Sequence, residues 1–152
     1  KFSIFGGGNL ALERLDQDHA NIEIDGAGDV KADGRIGALR TTINGSGHIG
    51  FDQLQSRQAE AAIHGSGSIR AKGKIDNVTI RIAGSGDADF GQVETQTADV
   101  EISGHGDVHI APSQQARVEI NGSGDVYLHT NPKNLDTEMH GSGRIHKVAD
   151  GG

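Results

Sequence analysis

Apolar and polar residues alternate along this chain on both sides of a recurring Gly-x-Gly motif. In the stretch INGSGDVYL, residues 120–128, the apolar Ile120, Val126 and Leu128 have polar residues, glycines and one tyrosine between them. Alternation with a period of two is typical of strands that bury one face, whereas a helix would need a period near 3.6. The pattern therefore predicts an all-β chain.

The Gly-x-Gly motif occurs eight times, which sets the length of the repeat. Successive copies are 18 to 20 residues apart, and their first glycines are Gly6, Gly26, Gly45, Gly65, Gly84, Gly104, Gly122 and Gly141. Relative to this anchor glycine, apolar residues recur at positions −4, −2, +4 and +6. The −2 column consists of Ile4, Ile24, Ile43, Ile63, Ile82, Ile102, Ile120 and Met139. A cofactor site would occur once, so a feature of every period belongs to the architecture.

Each period predicts one strand before the glycines, one strand after them, and a shorter segment with residues such as Leu39, Leu54, Val78, Val93 and Leu135. A single period cannot bury its apolar side, but stacking like upon like at about 4.8 Å encloses a continuous core. We therefore predict a single-domain parallel β-helix, or β-solenoid, of about eight coils over residues 1–152. Parallel crossover connections favour right-handed winding.

Composition and charge argue against several functional classes. With a net charge of −7 and a pI near 5.5, the chain lacks the basic surface that nucleic-acid binding needs. The absence of Cys excludes disulfides, thiolate zinc sites and a cysteine nucleophile. No apolar run reaches the roughly 18 residues of a membrane span. We therefore expect no nucleic-acid partner, no membrane insertion and no cofactor.

The two ends of the predicted stack differ. In the last period the +6 column changes to Lys147 and the sequence finishes in ADGG, so this end is predicted to have a polar cap. At the other end, KFSIF begins directly on an apolar strand. An uncapped end offers unpaired strand groups to another chain. The sequence therefore predicts either that an upstream segment covers this end or that two copies stack there as a homodimer.

Acidic residues recur three positions after the anchor glycine, where Asp87, Asp107 and Asp125 belong to consecutive coils. Carboxylates about 5 Å apart repel one another, and bound calcium or a solvated surface would relieve the repulsion. Calcium-binding nonapeptide repeats have a period of nine, and this +3 column also contains His48 and Arg144. A solvated turn is therefore favoured, and we predict no metal. The three aspartates are retained as candidate surface contacts.

The paired glycines also resemble those of phosphate-binding loops. Such loops lead into a helix, and P-loops add a lysine and a hydroxyl at fixed spacing, whereas DVHI and DVYL follow the glycines here and predict strands. A column of hydroxyls at +1 has no base and acid repeated beside it, as a catalytic triad would need. This +1 column contains Ser46, Ser66, Ser85, Ser123 and Ser142. Phosphate binding and nucleophilic catalysis are both disfavoured.

Histidines and one tyrosine occupy a second outward column, at +5, where His109, Tyr127 and His146 lie in successive coils. This column predicts a surface strip that stacks on a sugar or binds weakly, although scattered surface histidines explain the same pattern. His105 precedes His109 by four residues, but the turn between them argues against a shared metal. The −3 column predicts a solvated acidic strip beside Arg81, formed by Glu101, Glu119 and Glu138.

The tandem motifs are similar to those of a bacterial family. INGSGHI, IHGSGSI, ISGHGDVHI, INGSGDVYL and the closing NPKNLDTEMHGSGRIHKV, which contains Asn131 and Pro132, resemble the putative auto-transporter adhesin, head GIN domain family over essentially the whole chain. The resemblance implies a right-handed parallel β-helix that is exported or surface-associated, without agreed catalytic or ligand residues. Family members usually carry a further β-rich region before the repeats, which agrees with an upstream segment.

Two functional hypotheses follow. The first is an exported, non-enzymatic structural or adhesin-like module that binds a protein or a glycan at the cell surface or in the periplasm. Its candidate contacts are His109, Tyr127 and His146, followed by the three aspartates. The alternative is a carbohydrate-active enzyme or a carbohydrate-binding β-helix. Enzymes of this kind need long loops beside an extended groove, and a period of 18 to 20 residues leaves little room for them.

Overall fold

The computed structural model describes residues 2–129 and 133–147, and these residues form an all-β chain without a helix. The long strands β2 to β7 each follow a whole turn of the chain from one glycine motif to the next. The ten strands are β1 (Phe2–Gly6), β2 (Asn9–Gly26), β3 (Asp29–Gly45), β4 (His48–Gly65), β5 (Ser68–Gly84), β6 (Asp87–Gly104), β7 (Asp107–Gly122), β8 (Asp125–Leu128), β9 (Asn134–Gly141) and β10 (Arg144–Lys147).

All pairings between neighbouring strands are parallel, in the order β1 to β8 and then β10, with β9 on β7. This arrangement confirms the predicted β-solenoid. It has about seven turns, whereas the sequence predicted about eight coils, because eight glycine motifs enclose only seven complete intervals. The separate strands predicted within one period merge into one strand that bends. The handedness of the winding stays a prediction.

The core lies along the axis, inside the stacked strands. The −4, −2, +4 and +6 columns point inward as predicted, and Ile43, Ile63 and Val108 are fully buried members of them. The prediction of a shorter third segment was wrong, because the residues assigned to it belong to two different columns of the stack. Leu39 and Val78 belong to a buried column at −6, on the strand before the glycines, which also contains Ala20, Ala59, Ala98 and Ala116.

The middles of the four turns between Gly26 and Gly104 alternate between two arrangements that the sequence pattern did not predict. The two turns of 20 residues place a large residue at +6 and another at +9, as in Phe51 and Leu54. The two turns of 19 residues place alanine at +6 and isoleucine at +10, as in Ala71 and Ile75. Gly73 pairs with Leu54, so a large residue in one turn faces a glycine in the next and their volumes complement each other.

A hydroxyl completes the middle of the longer turns. Ser56 Oγ donates to the carbonyl of Gln58 at 2.9 Å, and the hydroxyl of buried Thr95 lies 3.1 Å from the Asp76 carbonyl of the preceding turn and 3.2 Å from the carbonyl of Thr97. Each hydroxyl thus bonds to backbone oxygens where the strand bends. Among the described residues, no buried side-chain nitrogen or oxygen lacks a hydrogen-bond partner. We call the region formed by residues 32–36, 51–56, 71–75 and 90–95 the alternating corner.

The far end of the described stack is open on one side. β9 pairs with β7, and Met139 is 48% exposed because no later described strand covers this side of β9. Met139 pairs in register with Ile120 and so keeps its column, but at this end of the described stack it is not buried. Asn131, Pro132 and the ADGG terminus lie outside the described residues, as do the side chains of Lys147 and of residues 2–6. No helix with the length and apolar character to cross a membrane occurs among the described residues.

Candidate binding face

The backbone of the glycine motifs is committed to holding the coils together. Ser46 N–H donates to the Gly26 carbonyl and His48 N–H to the Gly28 carbonyl, each at 3.0 Å, and the same two bonds recur at Ser66 and Ser68. A phosphate-binding loop needs backbone N–H groups that point at the ligand. These amides instead bond to the preceding coil, so the motif is an architectural corner, which we call the glycine corner.

The two glycines of this corner are required for different reasons. Gly45 has a φ of +128°, a conformation that residues with a Cβ rarely adopt. A Cβ at Gly47 would lie 2.7 Å from the Gly28 carbonyl oxygen and 2.7 Å from Cγ2 of Ile24, well inside van der Waals contact. The first glycine therefore allows the bend, and the second allows the coils to approach each other.

The strands that leave the glycine corner present one outward face, built from the +3 and +5 columns. A shallow groove of about 790 Å³ runs along this face from Asn9 to His109. It crosses six successive strands, which corresponds to roughly 24 Å at the usual strand spacing. We call this surface the groove face. Its side chains alternate with the buried +4 column, so the core fixes their outward direction.

The candidate aspartates lie in register on the groove face. Asp87 pairs with Asp107 and Asp107 with Asp125, and Asp107 N–H donates to Asp87 Oδ1 at 3.3 Å. Within residues 2–129 and 133–147, no group of three or more His, Cys, Asp or Glu side chains is arranged to hold a metal ion. The geometry therefore describes a column of solvated carboxylates, partly stabilised by a backbone donor.

His109, Tyr127 and His146 form a ladder of stacked rings at the end of the groove face. The ring centroids of His109 and Tyr127 are 4.6 Å apart at an angle of 12°, and those of Tyr127 and His146 are 4.8 Å apart at 14°. Because the rings stack on one another, Tyr127 has both faces covered. Stacking of a sugar on Tyr127 does not fit this geometry, whereas stacking on the outer faces of His109 and His146 stays a prediction. The ladder instead presents ring edges, with their nitrogens and the hydroxyl.

A further histidine, which sequence reasoning missed, joins this ladder. His129 Nε2 lies 3.0 Å from Nδ1 of His109, and the two ring centroids are 5.2 Å apart. His129 falls at +7, outside the recurring columns. Its backbone N–H bonds to the Ile110 carbonyl at 2.8 Å, which continues the pairing of β7 and β8 by one residue. The signal available in the sequence was its spacing of two from Tyr127, which puts both side chains on one side of a strand.

The other candidate residues lie on different surfaces. His105 contacts the Ser123 hydroxyl at the glycine corner, so it does not join His109. In the −3 column, Glu101 pairs in register with Arg81 and lies 3.9 Å from its Nε, which places the predicted acidic strip beside that arginine. Glu119 and Glu138 continue the strip in register.

The middle of the groove face contains a second cluster, which sequence reasoning missed. Lys31 pairs with Gly50, and Gly50 pairs with Arg70, so two cations flank a glycine in the +5 column. Arg70 Nε lies 3.8 Å from Asp89 Oδ2. The available signal was a glycine at an outward strand position, where glycine is disfavoured. The groove face thus joins a charged region around Gly50 to an aromatic end around Tyr127.

Comparison with protein families identifies the class to which this fold and its repeated corner belong. The model of the family described as "Putative auto-transporter adhesin, head GIN domain" matches residues 1–72 and 52–132. The two matches overlap and together cover most of the chain. The chain therefore belongs to this family, and the fold and the family together define an adhesin-like or binding module.

Two solved structures share the fold. A putative lipid binding protein from Parabacteroides distasonis has a TM-score of 0.82 at 24% identity, over 96% of this chain and 58% of its own. A putative adhesin from Bacteroides fragilis has a TM-score of 0.76 at 18% identity, over 84% of this chain and 60% of its own. The chain thus spans about 60% of the length of each structure. No curated protein matches it.

Proposed function

We propose that this chain is a non-enzymatic binding module that acts outside the cytoplasm and uses the groove face to contact its partner. The observation that carries the proposal is the groove itself, which extends over six strands and is lined by side chains of both charge signs. Membership of an adhesin family supports a binding role, and the name of that family also supports the location.

The rigidity of the fold favours recognition by a preformed surface. The strands of the groove face are tied to their neighbours by continuous parallel pairing, and the +4 and +6 side chains beneath them are buried. A surface of this kind loses little conformational entropy on binding. A flat, rigid array with evenly spaced polar groups suits an extended ligand that follows the axis.

The name of the solved structure from Parabacteroides distasonis suggests lipid as a rival partner. Inside the described coils the space is filled by the packed side chains of the core, with Ile63, Ile80 and Val100 at 0% exposure. A lipid would therefore lie on the outside of the solenoid. The groove face has many charged residues among its outward positions, which suits a hydrated ligand better than an acyl chain.

Binding to a panel of partners, with two matched triple variants, tests this proposal. The groove-face variant combines Lys31→Ala, Arg70→Ala and Asp107→Ala. The control variant combines Arg40→Ala, Arg81→Ala and Glu101→Ala on other outward columns, so each loses two cations and one carboxylate. The panel contains immobilised glycans, extracellular matrix proteins and vesicles of phosphatidylcholine. We expect saturable binding to a glycan or a protein that the groove-face variant loses by at least tenfold and the control variant keeps.

Other results would contradict the proposal in separable ways. Binding kept by the groove-face variant would assign the contact to a different surface, and vesicle binding alone would favour a lipid partner. Mass spectrometry of the bound ligand after long incubation tests the non-enzymatic claim, for which we expect an unchanged ligand. Immunodetection on intact and lysed source cells tests the location, and a signal confined to lysed, soluble cytoplasm would overturn it.

A further inference from the structure

The groove face contains a glycine that the fold does not require. Gly50 lies inside β4, and it is absent from the glycines with positive φ. A Cβ built at this position would meet nothing within 4 Å. By contrast, Gly45 and Gly47 of the preceding corner are demanded by conformation and by close approach. Glycine in a strand interior is less stable than alanine, so folding alone does not explain its presence here.

The surroundings of Gly50 form a notch with two cationic walls. Lys31 pairs with Gly50 from the preceding coil and Arg70 from the following coil. With neighbouring strands about 4.8 Å apart, the two flanking backbones are separated by roughly 10 Å. The missing side chain therefore leaves a gap one residue wide in the +5 column. Gly50 exposes only its backbone and Cα at the floor of this gap, within the groove.

The groups around the notch are both donors and acceptors. Lys31 and Arg70 only donate hydrogen bonds, and ionised carboxylates only accept them. The +3 column beside the notch contains His48, which pairs with Asp29, and Ser68, which pairs with Asp87. Asp89 lies beyond Arg70 and contacts its Nε at 3.8 Å. A ligand in the notch therefore lies between two cations and beside His48 and Ser68, with the Asp29 carboxylate in the preceding coil.

This mixture decides the chemical class of the ligand. A purely anionic group would meet the carboxylate of Asp29 in the adjoining column, and a purely cationic group would meet Lys31 and Arg70. A ring that carries several hydroxyls can donate to the carboxylate and accept from the cations at the same time. Its C–H groups can pack on the bare backbone at Gly50. These requirements describe a neutral sugar.

We propose that the Gly50 notch is a saccharide subsite that seats one neutral pyranose ring of a glycan lying along the groove face. This inference rests on the proposed binding function and deepens it by naming the ligand class and the position. Lys31 and Arg70 clasp the ring oxygens from the two neighbouring coils. Asp29, in the coil before Gly50, accepts from one of its hydroxyls. The remaining sugars of the chain extend along the groove toward Asp107 and His109.

A substitution at Gly50 separates binding from folding. Gly50→Ile fills the notch with a side chain that has a high strand propensity, no charge and no hydrogen-bonding group. Because nothing lies within 4 Å of the new Cβ, we expect an unchanged or higher Tm. Ala83→Ile is the matched control, since Ala83 is an exposed outward residue of β5 in a different column. Both variants add one aliphatic side chain to an outward strand position.

The measurement begins with an array of neutral and acidic oligosaccharides, followed by calorimetry of the best neutral sugar at low and high salt. We expect binding that Gly50→Ile weakens by at least tenfold, that Ala83→Ile leaves within twofold, and that changes little with salt. Lys31→Gln should weaken the same binding severalfold.

Wild-type affinity in Gly50→Ile would overturn the subsite while leaving the binding function intact. Binding restricted to carboxylated or sulfated glycans, with a steep loss of affinity in salt, would overturn the neutral-sugar class. Saturable binding to a protein but to no glycan would overturn this inference and keep the proposed function. Silence against the whole panel would overturn both.

Discussion

The glycine corner and the alternating corner solve the same problem, the bending of a strand, in different ways. At the glycine corner every turn repeats the same two glycines, because the constraint there acts on the backbone. Gly45 has a positive φ, and the carbonyl groups of one coil approach the next within hydrogen-bond distance. At the alternating corner the turns differ in pairs, since the difficulty there is volume. Leu54 faces Gly73, and Phe51 faces Ala32 and Ala71.

Comparison of the two corners shows which kind of constraint produces a repeat that can be recognised in the sequence. A backbone constraint applies to each coil separately, so each coil must satisfy it with the same residue. A volume constraint applies to the sum of neighbouring coils, so one coil can be large where the next is small. Between Gly26 and Gly104 the structural repeat is therefore a pair of coils, one of 19 residues and one of 20, although the glycine motif repeats in each.

The largest expected loss of stability comes from a substitution at the glycine corner. A Cβ at Gly124 would lie 2.5 Å from the Gly106 carbonyl oxygen and 2.7 Å from Cγ2 of Ile102, so Gly124→Val forces two coils apart. We expect a loss of about 4 kcal/mol or more in the free energy of unfolding, measured by chemical denaturation followed by circular dichroism. Gly50→Val is the control and should remain folded. A stable Gly124→Val protein would refute our explanation of the corner.

The next effect tests the volume rule of the alternating corner. Phe51→Ala removes a ring that is 2% exposed and should cost about 3–5 kcal/mol. Ala32→Phe inserts a ring beside Phe51 and should cost about 1–3 kcal/mol by overpacking. Because the two positions are paired, the double variant should lose less stability than the two single losses combined. Strict additivity in this double-mutant cycle would show that neighbouring coils do not share volume.

A smaller effect tests the hydroxyl that completes the longer turns. Thr95→Val keeps the shape of the side chain but removes the hydroxyl that contacts the Asp76 and Thr97 carbonyls. We expect a loss of about 1 kcal/mol, the net value of a typical buried hydrogen bond. The same measurement on Thr79→Val, a half-buried threonine of the outward −5 column, provides the comparison. An equal effect at both positions would argue against a special role for Thr95.

The smallest effect concerns the carboxylates just after the glycine corner. Asp125→Asn keeps the size of the side chain and removes one charge from the column with Asp87 and Asp107. Because this surface is solvated, we expect a change within about 0.5 kcal/mol, and any gain should shrink as salt is added. A large loss of stability would indicate that the carboxylate of Asp125 has a structural partner.

Sequence reasoning predicted the part of the fold that each coil repeats. The glycine anchor aligned the inward columns correctly because the six residues on either side of it keep a constant spacing, and this also placed His109, Tyr127 and His146 in one column. Past +6 the turns differ by one residue, so a fixed anchor no longer compares equivalent positions. This is why Leu54 and Leu39 were grouped together although they lie in different columns.

The candidate site was less predictable for a related reason. Which residues point outward followed from the alternation, but whether their side chains cover one another depends on the distance between coils. The covered faces of Tyr127 result from ring spacings of 4.6 and 4.8 Å, set by strand pairing rather than by the residues themselves. Gly50 escaped notice because glycines are abundant in this chain, and only the structure distinguishes those that the backbone requires from one that it does not.

The direction of the hydrogen bonds at the glycine corner has a mechanical consequence. Bonds such as Ser46 N–H to the Gly26 carbonyl and Ser66 N–H to the Gly45 carbonyl join one coil to the next, so they point along the stacking axis. A force that pulls the two ends of the stack apart loads one interface at a time and peels coils off in sequence. A force applied across the axis is shared by a whole strand in shear. If the groove face contacts its partner as proposed, a partner that moves sideways across that face would load the coils in the direction that they resist best.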